Sequence, residues 1–179
     1  AKPNIGYITN FGKAHLEGFG SEEGVVKAKS ELYDFLKTHS SLIILNSDDA
    51  KQVAQVGAYI STYTFSETSE TDVNVKLTAT QPFLSVILKE TAIKTQLVGV
   101  YNFHNIAAAL TIGTYFKLTP LQLKKGIEAY TPANNRSQII QQNSNEILLD
   151  AYNANPSSME VALKNFRGLK NPNKLAILG

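Results

Sequence analysis

The fold is decided by two short apolar runs, IGYIT at residues 5–9 and LIIL at residues 42–45, and by the helical pattern between them. Polar and glycine residues follow each run, as expected for a buried strand that ends in a loop. Ser21 and two glutamates after it predict a helix start, because a serine hydroxyl caps the first turn and acids favour its positive end. The order of strand, helix and strand predicts a parallel sheet.

The pattern changes after Tyr59. Period-two stretches occur within residues 63–65, 73–77, 84–88 and 93–97, and such alternation predicts an antiparallel meander with one wet face. We therefore expect an antiparallel insertion near residues 62–98. Helical patterns return at residues 102–116 and again from Thr119 and Pro120 to about Ala129, where the cap-then-proline rule marks the start.

A domain boundary is predicted near residues 131–136, because this stretch is polar, contains a proline and shows no periodicity. Beyond it we expect strands at residues 138–142 and 146–149, a helix after Pro156 and a buried strand at residues 174–179. The predicted fold is α/β, with residues 1–133 as one unit and residues 134–179 as the beginning of a second.

The composition excludes several functional classes. Of 179 residues, 43% are hydrophobic, and 17 basic residues against 15 acidic ones leave a net charge of +2, which is too balanced to indicate nucleic-acid or membrane binding. The lack of cysteine excludes disulfides, thiolate metal sites and a cysteine nucleophile. No apolar run approaches the ~20 residues of a membrane span, and no signal-peptide pattern opens the chain. A cytoplasmic protein is expected.

His15 and Lys29 are the first candidate site residues. His15 lies in a glycine-flanked loop after the first predicted strand, at the sheet edge where ligands bind in open α/β folds; it would either ligate a metal or be an ordinary surface histidine. Lys29 lies on the apolar stripe of its predicted helix. It would either extend its ammonium to water or provide a buried amine with a lowered pKa.

Four further candidates are polar residues at predicted element ends. Asn102 is a candidate helix cap, and Asn105, one turn later, has an amide that could read a purine edge. Asp150 ends a predicted strand, where a carboxylate can accept from ribose hydroxyls, and Arg136 could bind a phosphate. Asp150 and Arg136 could equally well be ordinary charged residues on the surface. The chain has no Gly-x-x-x-x-Gly-Lys-Ser/Thr phosphate loop, so these residues alone predict an α/β protein with a ligand-binding edge.

Four segments carry a family resemblance: ITNFGKAHLEGFGS at residues 8–21, AKSELY at 28–33, GVYNFHN at 99–105 and DAYNANPSSM at 150–159. In this order they resemble the motifs of the Mur ligase family, the ATP-dependent amide ligases of peptidoglycan precursor synthesis. The first and last segments are typical of the members that add D-alanyl-D-alanine. The resemblance implies a parallel-sheet central ATPase domain, here truncated, followed by the start of a Rossmann-like C-terminal domain.

The resemblance also implies a reaction. ATP would phosphorylate the terminal carboxylate of UDP-N-acetylmuramoyl-tripeptide, and D-alanyl-D-alanine would then attack the acyl phosphate. His15 and a carbamoylated Lys29 would be catalytic and would hold Mg²⁺. The residues implied in ATP binding are Asn105 at adenine, Asp150 at ribose, Arg136 at the phosphates, and Asn102 and Asn153. Arg136 departs from the family pattern, since Asn134 and Asn135 precede it where the family has Pro-Gly.

The resemblance further implies that a phosphate loop and a UDP-sugar domain lie upstream of Ala1, and that more chain follows Gly179. The isolated chain is therefore expected to be inactive, and its uncovered apolar surface is expected to favour self-association. Two rivals remain. One is another ligase of the superfamily, such as folylpolyglutamate synthetase, against which residues 153–156 argue. The other is a non-catalytic nucleotide-binding module.

Overall fold

The computed structural model describes residues 2–12, 16–133, 135–152, 154 and 156–178, except for the side chains at positions 16, 17 and 157. One sheet has six strands in chain order: β1 Ile5–Gly6, β2 Leu42–Asn46, β3 Thr62–Ser66, β4 Val73–Ala79, β5 Ser85–Leu88 and β6 Thr91–Lys94. A separate hairpin pairs β7 Gln138–Gln142 with β8 Asn145–Leu149.

Six α-helices occur in the described residues: α1 Leu16–Phe19, α2 Glu22–Thr38, α3 Ala50–Val56, α4 Phe103–Tyr115, α5 Pro120–Ala129 and α6 Pro156–Gly168. A short 3-10 helix at Val100–Asn102 directly precedes α4. The predicted helix start at Ser21 is confirmed by its cap, since Ser21 Oγ accepts the Gly24 N–H at 3.1 Å. Asp49 caps α3, where its Oδ1 accepts the Lys51 N–H at 2.9 Å. Thr119 forms a reciprocal capping box with Gln122.

The parallel core of the sheet is confirmed. Ile5 lies opposite Leu42 on parallel strands, and β2 pairs in parallel with β3. The short run in β2 is apolar throughout because it is covered on both faces. Ile43 packs with Tyr33 and Leu36 of α2 on one face, and Ile44 belongs to the core built with α4 on the other. The α/β class predicted from the sequence is therefore correct.

The predicted meander is wrong in its first strand. β3 runs parallel to both β2 and β4, and within this sheet only the β4–β5 and β5–β6 pairs are antiparallel. Parallel strands usually need a long crossover. Here β3 and β4 overlap in only two pairs, Phe65 with Val73 and Ser66 with Asn74, so a six-residue connection is enough. Alternation of apolar and polar residues does not report strand direction.

The last predicted strand is also wrong. Residues 174–178 form neither strand nor helix, and Leu175 and Ile177 are 82% and 89% exposed. A strand exists by pairing with a neighbour, and no strand among the described residues pairs with this run. Two smaller corrections concern the first strand and the loop after it. β1 covers two of the five predicted residues, and the short helix α1 lies within the glycine-flanked loop predicted there.

Replacing Gly24 by alanine is expected to destabilise the fold. A Cβ at this position in α2 would lie 2.0 Å from the carbonyl oxygen of Phe19, and backbone at that distance has to move. We expect a loss of about 1–3 kcal/mol in the free energy of unfolding, measured by urea denaturation. The matched control is Gly126→Ala in α5, where a Cβ meets nothing within 4 Å, and a gain of about 0.5–1 kcal/mol is expected. Equal effects of the two changes would contradict the close approach of α1 and α2.

Candidate functional site

A cleft of about 400 Å³ lies where the chain leaves β1 and β2. The carboxyl ends of parallel strands are the edge at which open α/β sheets bind ligands. The lining residues come from the loops after the two strands, the start of α3 and the first turn of α4: Thr9, Asn10, Asn46, Asp48, Asp49, Ala50, Lys51 and His104. The cleft therefore combines carboxylates, amides and a cationic side chain at the expected edge.

Asp48 joins the loop after β2 to the loop after β3. Its carboxylate accepts hydrogen bonds from Ser66 Oγ at 2.5 Å, the Glu67 N–H at 2.7 Å and Thr68 Oγ1 at 3.1 Å. Burial opposes ionisation of Asp48, but these three donors outweigh it, and the pKa of the carboxyl lies below its ordinary value. Asp48 thus holds one wall of the cleft in place as an anion.

Replacing Asp48 by asparagine is expected to remove a pH-dependent contribution to stability. Because the folded pKa is depressed, the contribution is present above the unfolded pKa of about 3.9 and is lost as the pH falls through the folded pKa. Solvent screens this partly exposed group, so we expect a loss of about 1 kcal/mol at pH 7. Urea unfolding at pH 7 and at pH 3 measures it, and a wild-type-to-variant difference that does not shrink in acid would contradict the role.

Asn46, the last residue of β2, connects the loop that carries Asp48 to α4. Its Nδ2 lies 3.3 Å from His104 Nδ1, and its Oδ1 accepts the Asp48 N–H at 3.1 Å. Asn46 is 3% exposed, so its amide is fixed by these contacts. The sequence gives no sign that Asn46 and His104 lie together, although Asn46 directly follows the apolar run at residues 42–45.

Lys29 reaches the loop after β1. Its Nζ donates to the Asn10 carbonyl oxygen at 2.8 Å and to Asn10 Oδ1 at 3.4 Å. Burial lowers the pKa of this lysine. The amine therefore points to the loop that carries His15 rather than simply into bulk water. His15 itself lies outside the described residues.

Asn102 and Asn105 lie together at the start of α4. Asn105 Nδ2 donates to Asn102 Oδ1 at 3.2 Å, and Asn102 Nδ2 donates to the Val98 carbonyl oxygen at 2.8 Å. Asn102 occupies the N-cap position of α4, as predicted, but its side chain makes no capping bond to the helix. Its side chain instead orients Asn105, which is exposed.

Arg136 and Asp150 lie at the open end of the β7–β8 hairpin. The Ala151 N–H donates to the Asn135 carbonyl oxygen at 2.9 Å, and the Ser137 N–H donates to Asp150 Oδ1 at 3.3 Å. The Arg136 guanidinium carbon lies 3.5 Å from the centre of the Tyr152 ring, a cation–π contact that holds the fork of donors flat. Asn153 lies outside the described residues.

Tyr101 connects the start of α4 to the open end of the β7–β8 hairpin. Its hydroxyl is hydrogen-bonded to Ser137 Oγ and lies 3.4 Å from Asp150 Oδ2. Tyr101 directly precedes Asn102, so it links Asp150 to the segment at which α4 begins. Lys29 instead contacts Asn10, which lines the cleft. Nothing in the sequence marks Tyr101 or Ser137 as part of a site, although each is the immediate neighbour of a predicted site residue.

The family of this chain follows from a match to a known domain. The Mur ligase middle domain matches residues 1–113, more than half of the chain. The chain belongs to the Mur ligase family. The match includes the cleft, Lys29, Asn102 and Asn105, so the resemblance predicted from the motifs is correct.

Curated relatives extend the similarity of this Mur ligase chain past residue 113. The UDP-N-acetylmuramoyl-tripeptide--D-alanyl-D-alanine ligase of Bacillus subtilis is 31% identical over 184 residues, which cover 100% of this chain and 40% of that relative. The Haemophilus influenzae protein of the same name is 32% identical over 174 residues, covering 93% of this chain and 37% of the relative. The chain therefore spans about two fifths of the length of these relatives.

Solved structures show the same fold. MurF from Acinetobacter baumannii has a TM-score of 0.79 and 25% identity, over 94% of this chain and 38% of that one. MurF from Thermotoga maritima in complex with ADP has a TM-score of 0.72 at 20% identity, over 93% of this chain and 40% of that one. The second likeness supports the fold alone, and both agree with an α/β sheet that is mostly parallel.

Proposed function

We propose that the protein containing this chain is an ATP-dependent amide ligase of peptidoglycan precursor synthesis, which joins D-alanyl-D-alanine to UDP-N-acetylmuramoyl-tripeptide. One observation carries the proposal: the Bacillus subtilis ligase of that name aligns with all of this chain. The alignment therefore includes both the cleft and the hairpin end that carries Arg136 and Asp150. The folylpolyglutamate rival shares the ATP site but differs in the acceptor.

The proposed reaction has two steps. An oxygen of the tripeptide's terminal carboxylate attacks the γ-phosphorus of ATP, so that an acyl phosphate forms and ADP leaves. The amine of D-alanyl-D-alanine then attacks the acyl carbon, loses a proton and expels phosphate as the C–N bond forms. Two anions meet in the first step, so the site has to supply positive charge around the phosphate and the carboxylate.

Asn105, Arg136 and Asp150 supply the donors and acceptors that a nucleotide needs. The Asp150 carboxylate is exposed and already oriented by Ser137, which suits it to accept from ribose hydroxyls. Arg136 presents a planar fork suited to phosphate oxygens. Asn105 is oriented by Asn102 and presents an amide suited to a base edge. We assign these roles as proposals, with Asn153 as a further ATP contact.

The described residues fit a magnesium ion less directly than they fit a nucleotide. Among the described residues no group of three or more His, Asp or Glu side chains could hold a metal ion. Lys29 as an ammonium is a hydrogen-bond donor and cannot be a ligand, but as a carbamate it would present hard oxygen atoms of the kind that Mg²⁺ prefers. We propose carbamoylated Lys29 and His15 as the magnesium-binding and catalytic residues. Bound there, magnesium would neutralise charge on the phosphates.

Domain organisation, partners and location belong to the same proposal. We propose a boundary near residues 131–136, supported by the separate β7–β8 sheet that begins just beyond it. No helix among the described residues is long and apolar enough to cross a membrane. The proposed partners are the UDP-sugar tripeptide and the dipeptide, the proposed location is the cytoplasm, and self-association of the isolated chain stays a prediction.

The nucleotide role of Asp150 is tested by Asp150→Asn in the complete natural protein. We expect the Kd for ADP, measured by calorimetry, to rise roughly three- to tenfold, because a charged acceptor for the ribose hydroxyls is lost. The matched control is Asp34→Asn on the exposed face of α2, for which no change is expected. Unchanged ADP affinity in the Asp150 variant would contradict the assignment.

A further inference from the structure

Tyr101 lies against a glycine that no other residue type can replace without strain. Gly99 has φ +85°, and a Cβ built there would lie 2.2 Å from Cε1 of the Tyr101 ring. The backbone before α4 is therefore shaped so that the ring folds back over position 99. This contact fixes the direction in which the tyrosine hydroxyl points, which is toward the β7–β8 hairpin.

Only one assignment of donors and acceptors is consistent with the hydrogen bonds at the Tyr101 hydroxyl. An ionised carboxylate only accepts, so the Tyr101 O–H donates to Asp150 Oδ2, at 3.4 Å. The tyrosine oxygen then accepts from the Ser137 hydroxyl, and the Ser137 N–H donates to Asp150 Oδ1 at 3.3 Å. Each carboxylate oxygen is thus held by one donor. These bonds use two of the roughly four lone-pair positions of a carboxylate.

We propose that Tyr101 is a positioning residue that holds the Asp150 carboxylate in the orientation needed to accept the 2′- and 3′-hydroxyls of a bound nucleotide. This inference rests on the proposed function, which assigns ribose to Asp150. It adds that the segment before α4 takes part in sugar recognition through Tyr101, although this side chain need not touch the nucleotide.

Two further observations support the role. Ser137, the partner of both Tyr101 and Asp150, is 4% exposed and adopts a positive φ of 50°, so the hairpin end is held in an uncommon conformation at this contact. Burial also raises the pKa of Tyr101 above its ordinary value. The hydroxyl therefore keeps its proton, and its ability to donate, throughout the neutral pH range.

The test compares two nucleotides in the complete natural protein. The Kd values of ADP and of 2′,3′-dideoxy-ADP are measured by calorimetry for wild type, Tyr101→Phe, Asp150→Asn and the double variant. Tyr101→Phe retains the ring that packs on Gly99 and removes only the hydroxyl. We expect it to lower the preference for ADP over the dideoxy nucleotide roughly three- to tenfold, with unchanged affinity for the dideoxy nucleotide. In the double variant the preference should fall no further than with Asp150→Asn alone.

The outcomes separate this inference from the proposed function. If Asp150→Asn leaves the preference for ADP unchanged, the ribose role of Asp150 fails, and the role of Tyr101 fails with it. If Asp150→Asn lowers the preference but Tyr101→Phe does not, only the positioning role is overturned. If Tyr101→Phe weakens both nucleotides equally, the hydroxyl supports the local fold rather than sugar recognition, and the inference is again overturned.

Discussion

Replacing Lys29 by alanine in the complete natural protein is expected to lower kcat for ligation about 100-fold or more, the scale seen when a preorganised charge-stabilising group is removed. The side chain reaches Asn10 in the loop that carries His15, and burial lowers the pKa of its amine. A lowered pKa increases the neutral fraction, which is the form that captures carbon dioxide. The amine then loses a proton and becomes a carbamate.

Three controls separate a carbamate from a simple bridge to Asn10. Lys27→Ala removes an exposed charge from the same helix and should leave kcat unchanged. Lys29→Arg retains a cationic donor for the Asn10 carbonyl but cannot be carbamoylated, so it should be as inactive as Lys29→Ala. Carbon-13 bicarbonate should give a carbamate carbonyl signal in wild type that both Lys29 variants lack. Full activity of Lys29→Arg would show that the lysine only bridges the loop.

Replacing Arg136 by alanine is expected to have the second largest effect, with a rise in the KM for ATP of roughly 10- to 100-fold, because a bidentate charge-assisted contact to phosphate is lost. The stacking of the guanidinium on Tyr152 orders the fork before any ligand arrives, so less conformational entropy is lost on binding. Steady-state kinetics at saturating peptide substrates measure the effect.

The matched control is Arg167→Ala, which removes the same charge from an exposed position on α6 and should not change the KM for ATP. Arg136→Lys retains the charge without the planar fork and should lie between wild type and Arg136→Ala. A KM for ATP that is unchanged in Arg136→Ala would contradict the phosphate role and would return Arg136 to an ordinary surface ion.

The elements best predicted from the sequence are those with local signals. Ser21, Asp49 and Thr119 each act through a bond to a backbone N–H two or three residues later, so their caps are visible in the sequence itself. The direction of β3 depends on its neighbours β2 and β4, which the alternation of residues 63–65 does not encode. Residues 174–178 have the composition of a strand, but composition does not supply a partner strand.

The sequence singles out candidate site residues, but it does not show which side chains contact one another. Lys29, Asn105 and Asp150 were singled out by type and position, whereas the chain of contacts through Tyr101 and Ser137 joins residues 36 and 49 positions apart along the sequence. Such contacts depend on how the hairpin packs against the start of α4. The roles assigned to all the candidate site residues, including His15 and Asn153, stay predictions.

The proposed ligase activity is tested most directly by product formation with the complete natural protein. Incubation with ATP, Mg²⁺, UDP-N-acetylmuramoyl-tripeptide and D-alanyl-D-alanine should give the corresponding pentapeptide by mass spectrometry, with one ADP and one phosphate released for each product. Omission of the dipeptide should abolish product formation. Glutamate addition to a folate without any pentapeptide would establish the rival acceptor, and nucleotide binding with no ligation of either substrate would contradict an amide ligase.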